Sequence, residues 1–307
     1  MAPPKKMDMS VTFTGGFVTK RDWIVISTRI SALDDDVQHT RVFTFKNGKW
    51  VQFDLDSTVV SLCAIERPVP SLYCLSWDGG INIRRAGGPV EERIKDAGSG
   101  KGQLGYLEQI RLIGSSLYVC GVSNQIYRRI RNAWVHFDEG VLDRRDPLEA
   151  ETLSSIDGST EENIFAVGSS GQVWNYKGKS WVKIESPTPG DLSWVRCPSD
   201  NEAYVCGSDG LFFQHAKGRW TDLSASPKKT GDFWCIEMFQ NHVYVAGDTG
   251  LFVLENKKLS KVDMGFDCGE GHRLHANDGV LWYFGVDKLA FFDGKKWTYV
   301  KHPDNPE

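Results

Sequence analysis

Several things are missing from this sequence of 307 residues, and each absence excludes something. No apolar run approaches the roughly 20 residues that cross a membrane as a helix. The opening residues, MAPPKKMDMS, carry charge but no apolar core. They do not read as a secretory signal, and residues 1–9 are expected to form a disordered tail. Charge of one sign is not in excess: 36 basic against 40 acidic residues leave a net charge of −4, with pI near 6.0. That removes the electrostatic case for nucleic acid or an anionic membrane as partner. Cysteine is sparse and odd in number, at seven. Without a signal segment, reduced thiols and a cytoplasmic location are the expectation. Cys120 and Cys206 each stand one residue before a strand-ending glycine, which reads as a small buried hydrophobe in parallel places.

Catalytic signatures are also lacking. Residues 98–105, GSGKGQLG, suggest a phosphate loop, but Lys101 is followed by Gly102 and no helical pattern comes next, so a flexible inter-blade loop is expected. No G-x-S-x-G elbow is present. Cys268, His272 and His275 have zinc-like spacing. In a strand, however, the two histidines would point to opposite sides. The run Asp34–Asp36 lacks EF-hand spacing and reads as a solvated loop. The echoes of sialidase Asp-boxes at 169–174 and 208–213 keep only the glycine and the aromatic, and the adjacent arginine pairs (84 and 85, 128 and 129, 144 and 145) read as solvated. Neither a metal nor another cofactor is expected.

What is present is a repeat. Residues 163–184, NIFAVGSSGQVWNYKGKSWVKI, hold three short β-prone runs separated by turns. Related runs recur at 202–223, 241–262 and 280–300. Their glycines Gly168, Gly207, Gly247 and Gly285 are spaced by 39, 40 and 38 residues. The place of Trp181 recurs at Trp220, Leu259 and Trp297. Earlier units are less regular: Gly121 and Trp134 match, then Trp50, while Glu92 takes the tryptophan place in the second unit. Each unit has a further apolar run before its first quoted strand, making four strands, and steps of about 40 residues fit propeller blades.

The pattern G-x-x-G-x-[VL]-[WF]…G-K-x-W resembles bacterial β-propeller repeats of the kelch, tectonin and regulator-of-chromosome-condensation type. A single glycine replaces the kelch pair, and Trp77-Asp78 lies in a turn, not at the end of a third strand as in WD40 repeats. The resemblance implies architecture and, because those families mostly bind proteins or glycans, a binding role. It brings over no functional residue.

The expected fold is all-β: a seven-bladed β-propeller of four-stranded antiparallel blades, one domain over 10–303. The blades lie near 11–55, 59–94, 107–137, 152–185, 192–224, 232–264 and 271–301. Residues 11–13 have an alternative, as part of the last blade. The first strand of each unit should be the inner one and the tryptophan-bearing strand the outer one. A repeat position shared by Trp50, Trp134, Trp181, Trp220 and Trp297 argues for packing between blades. Trp194 and Trp234 differ, since each lies 13 residues before its glycine on an inner strand, where Glu108, Ser155 and His272 stand in other units. They read either as anchors of a binding surface or as plugs of the axial channel.

Function on such a disc is carried by loops. Segments 95–106 and 138–150 are long, polar and expected on one face of adjacent blades. The partner-binding expectation is therefore Lys101, Tyr106, Arg144, Arg145 and Asp146, with Trp194 and Trp234 near the axis. Mixed charge suits a protein partner. The functional expectation is a non-enzymatic bacterial protein that binds and neutralises a toxin or effector, as an immunity protein does. A lectin-like glycan binder is the alternative, and a propeller hydrolase comes third.

Overall fold

The computed structural model describes residues 9–225 and 230–305. Most of the expected N-terminal tail, residues 1–8, lies outside the described residues. Seven sheets of four strands each follow one another along the chain, over 11–55, 59–93, 107–136, 153–184, 192–222, 233–261 and 271–300. Every sheet is antiparallel and built from consecutive strands, so no blade is shared between the two ends. The alternative for residues 11–13 does not hold, because Val11–Lys20 pairs along its length with Trp23–Ile30 of the same blade. Single 3-10 turns follow the second strands of blades 4 and 5, at Ser169–Gly171 and Ser208–Gly210.

The first strand of each blade packs against the first strand of the next, and the ring closes from Gly271–Asn277 to Val11–Lys20. The first strand is therefore the inner one, as the repeat order predicts.

Inner strands pose a problem, since one edge of each carries N–H groups with no ladder partner. The chain solves it with axial side chains that reach across to the next blade. Ser61 Oγ accepts from Ile110 N–H at 3.2 Å, and Gln109 Oε1 from Ile156 N–H at 2.7 Å. Ser155 Oγ accepts from Val195 N–H at 3.1 Å, and Asp157 Oδ2 from Cys197 N–H at 2.8 Å. Cys235 Sγ takes Leu274 N–H at 3.3 Å. His275 Nδ1 takes Val18 N–H at 3.2 Å, so the closing junction uses the same device as these four. A second clasp lies further out. Asn305 accepts from Val11 N–H at 2.9 Å and donates to Val11 O at 3.0 Å. His302 is buried among Phe13, Phe43 and Trp50 of blade 1.

The repeated glycines exist for a close approach. At Gly168 and Gly207 a β-carbon would sit 1.8 and 1.9 Å from the carbonyl oxygens of Thr152 and Asp191. The same oxygens accept the N–H of the following residues, Ser169 and Ser208, at 3.0 Å each. The segment entering each inner strand is thereby pinned to the end of the second strand, which only glycine permits.

The repeated tryptophans seal the junctions between blades. Trp181 of blade 4 is 8% exposed and donates to Phe137 O beside blade 3 at 2.6 Å. Trp220 of blade 5 donates to Glu185 O beside blade 4 at 2.9 Å. Trp134 of blade 3 donates to Glu92 of blade 2 at 2.9 Å, and Glu92 also takes two bonds from Arg129. Glu92 is therefore not at the tryptophan place. Counted along the ladders, that place in blade 2 faces Arg84 and falls on Pro89, after a widened turn with Gly87 and Gly88 at positive φ. Blade 2 has no tryptophan there, and its junction with blade 1 is not sealed in the same way.

Candidate functional site

Three regions are candidates, and each is built from the repeat. The first is the axis. At equivalent places on the inner strands stand Arg111, Asp157, Arg196, Glu237 and His275. Asp157 is 2% exposed and takes Arg111 Nε and Arg196 Nη1, both at 2.9 Å. Arg196 Nε donates to Glu237 at 2.9 Å. Burial pushes the Asp157 carboxyl up, but the two guanidiniums and the Cys197 N–H outweigh it and hold the group below its usual range. His275 lies against Phe17 at 4.0 Å between ring centroids, and burial pushes its imidazole down to about 4. A cavity of only about 30 Å³ remains here, lined in part by Trp194, Arg111, Arg273 and His275. That is room for about one water molecule. The axis is a closed ion-paired core.

Trp194 belongs to this plug. It is 8% exposed, and the Arg273 guanidinium lies 4.8 Å from its ring. Trp234 does not share its place. A constant offset from the glycine places the two together, but Trp194 pairs opposite Cys206, whereas the residue opposite Ala246 is Cys235. The inner strand of blade 5 carries a register shift between Arg196 and Ser199 that moves its count by one. Trp234 stands at the rim and donates to Asp248 at 2.7 Å. Sequence spacing misses such a shift because it costs the chain one residue with no change in composition.

The second region is the face that carries 95–106 and 138–150, referred to below as the loop face. The two loops are braced against each other. Gly98 and Gly105 exchange backbone hydrogen bonds at 2.8 and 3.1 Å, closing the first loop. Gln125 donates to Leu104 O, Gly105 O and Val122 O. His136 links Asp96 of one loop to Asp138 of the other, at 3.1 and 2.9 Å. Tyr106 stacks on Trp77 with centroids 4.5 Å apart. Arg145 is held by Asp143 through Nε at 3.0 Å, while Arg144, Asp146 and Lys101 are exposed. Leu148 is an exposed apolar tip at 96%. The face thus brings Lys101, Tyr106, Arg144, Arg145 and Asp146 onto two neighbouring, ordered loops.

The third region lies on the opposite, turn face. A cleft of about 1300 Å³ opens there at the junction of blades 1 and 2 and runs towards blade 3. Trp23, Val25 and Phe53 line it from blade 1, and Leu72, Arg84 and Arg85 from blade 2. The Arg84 guanidinium lies 4.1 Å from the Phe53 ring. Trp23 carries Lys46 Nζ 3.9 Å over its ring. Sequence reasoning passed over these residues, taking the arginine pairs as solvated. Arg128 and Arg129 are in fact ion-paired to Glu161 and Glu92 across blades. The usable signal was that blade 2 lacks both the tryptophan and any large apolar residue in its place, whereas blade 6 keeps Leu259 there.

The zinc-like trio is engaged elsewhere: His272 bonds Glu270 at 2.7 Å, His275 holds Val18, and Cys268 is buried. Asp35 pairs with Arg29.

Fold and sites define a seven-bladed β-propeller of antiparallel blades. Solved structures share that fold. The WD40 propeller domain of Doa1 superposes with a TM-score of 0.70 at 11% identity, covering 98% of this chain and 96% of that one. The structure of YCF48 bound to D1 peptide gives 0.67 at 12% identity, covering 97% and 94%. No family model matches the chain, so the likeness to kelch, tectonin and regulator-of-chromosome-condensation repeats extends only to architecture. Among curated proteins, the Immune protein Tsi7 of Pseudomonas aeruginosa is 29% identical over 286 residues, 88% of this chain and 92% of that protein.

Proposed function

We propose that this chain is an immunity protein that binds a toxin and neutralises it by occupation. The observation that carries this reading is the likeness to the Immune protein Tsi7, which covers 88% of this chain and 92% of that protein and so is not confined to one motif. The physical character of the disc agrees. Its strongest polar cluster, Arg111, Asp157, Arg196 and Glu237, is spent on structure at a plugged axis. Its distinctive surfaces are a braced loop face and an open cleft, both suited to holding another protein on a rigid frame. The role is non-enzymatic: the toxin is held, not processed.

The test is a titration of purified toxin with purified chain. Toxin activity should fall in proportion to the chain added and vanish near equimolar ratio, with both polypeptides recovered intact. Substoichiometric inactivation, or a cleaved or modified toxin, would show catalysis instead.

A further inference from the structure

We infer that the cleft between blades 1 and 2 is where the partner docks, and that it takes an extended acidic segment bearing an apolar or aromatic side chain. The inference rests on the immunity reading for the identity of the partner, and on the cleft itself for its chemistry. Its origin is the departure of blade 2 from the repeat. In blades 3, 4 and 5 a tryptophan crosses to the preceding blade and donates its indole N–H there. Blade 2 has Pro89 at that place, and the space is left to Arg84 and solvent. A volume near 1300 Å³ exceeds the about 300–1,000 Å³ of ordinary small-ligand pockets and suits a stretch of polypeptide.

The lining specifies the segment. Phe17, Trp23, Phe53, Leu72 and Leu112 supply apolar surface, and Leu112 is 37% exposed. Such surface left open on a stable disc favours an apolar occupant. Lys20, Arg67, Arg84 and Arg85 also line the cleft, and none forms an ion pair among the described residues. Glu66 is the acidic residue among them. This local excess of positive charge stands on a chain whose net charge is −4. Arg84 Nε and Trp23 Nε1 are buried with no hydrogen-bond partner among the described residues. A carboxylate entering the cleft would instead meet the Arg84 guanidinium, which lines it on the Phe53 ring without an ion-pair partner among the described residues, and such a pair is stronger beside apolar walls. Residues 66–70 form the outer lip, with Val69 41% exposed.

The probe is an acetylated octapeptide alternating Asp or Glu with Leu or Phe, labelled with fluorescein and read by polarisation against the full chain. It should bind at least tenfold more tightly than three controls: the same peptide with lysine at the acidic positions, octaglutamate, and a single-stranded DNA dodecamer. Arg67→Glu with Arg85→Glu changes two exposed side chains, so the melting temperature should hold while binding weakens more than tenfold. Arg84→Leu keeps the apolar stem and should weaken binding in the same direction. Lys217→Glu with Arg219→Glu, on the same face at blade 5, controls for general charge. Equal binding of octaglutamate or DNA would make the cleft a plain polyanion site and overturn the inference. Insensitivity to the Arg67 and Arg85 changes would overturn it as well. The toxin titration separates the two readings. If the chain neutralises toxin, the Arg67/Arg85 variant neutralises normally and Arg144→Ala with Arg145→Ala fails, the loop face is the dock and the cleft inference falls alone. If the peptide binds as expected but the chain neutralises no toxin, the immunity reading falls and the chemistry of the cleft stands.

Discussion

The junction of blades 3 and 4 and the junction of blades 1 and 2 are built from the same repeat and end differently. At the first, Trp181 is buried and hydrogen-bonded to Phe137 O, with Phe137 and Tyr176 rings around it. At the second, Arg84 lies on Phe53 beside a cleft of about 1300 Å³. A large aromatic with a single donor fills the gap and meets a carbonyl, whereas proline has neither the volume nor the donor. In a repeat protein the unit that breaks the pattern marks a place where packing has given way, and surface of that kind is available for function.

The comparison can be broken from the sealed side first. Trp181→Ala should cost roughly 3–5 kcal/mol, because it empties a buried site and strands a carbonyl. Urea unfolding measures this, and a loss below about 1 kcal/mol would show that the sealing tryptophan is dispensable. Protein that still folds should keep its affinity for the partner, since the cleft is two junctions away.

Asp157→Asn should come next, at about 3–5 kcal/mol or somewhat less, because it leaves Arg111 and Arg196 facing each other at the axis without their shared carboxylate. The same denaturation experiment at low and high salt sharpens it. A buried network responds weakly to salt, and a strong response would place these charges in solvent.

Acid should act through the closing junction. Burial holds His275 and His302 at about 4, below the unfolded value near 6.5. Between these values the unfolded chain binds protons that the folded one refuses, so stability falls as pH drops from about 6.5 to 4 and is restored above it. Each histidine contributes on the order of 3 kcal/mol across that window. His302→Phe should remove about half of the dependence while keeping the aromatic clasp against Phe13, Phe43 and Trp50. A pH profile of thermal unfolding that is flat from 7 to 4 would contradict the buried neutral state.

The smallest effect is expected of the thiols. All seven cysteines are free and buried, and burial pushes the thiols of Cys74 and Cys235 up to about 12. A thiol reagent should react slowly with the folded chain and find about seven groups after unfolding, by the count of free cysteines. Rapid reaction of the native protein would mean that a junction opens readily.

The amino-acid sequence by itself determined the blade count, the four-stranded unit and the inner place of the first strand. These rest on spacing, and spacing survives substitution. Gly168 and Gly207 were legible as punctuation because a β-carbon would collide with a carbonyl at each. The sealing role of the tryptophans was legible from their recurrence. Register was not. Trp194 and Trp234 share an offset in the chain but not a place on the axis, since a one-residue shift between Arg196 and Ser199 on the inner strand of blade 5 separates them. Glu92 stood nearest the missing tryptophan in sequence, yet the widened turn at Gly87 and Gly88 puts Pro89 there and frees Glu92 to bind Arg129 and Trp134. Only the tertiary structure could join Phe53 of one blade to Arg84 of the next, or line up Ser61, Gln109, Ser155, Cys235 and His275 as covers for the neighbouring strand edge. The reason is physical. Local spacing encodes which residues share a strand, while the cleft and the axial ladder arise between blades, from residues about 40 positions apart that meet only when the ring has closed.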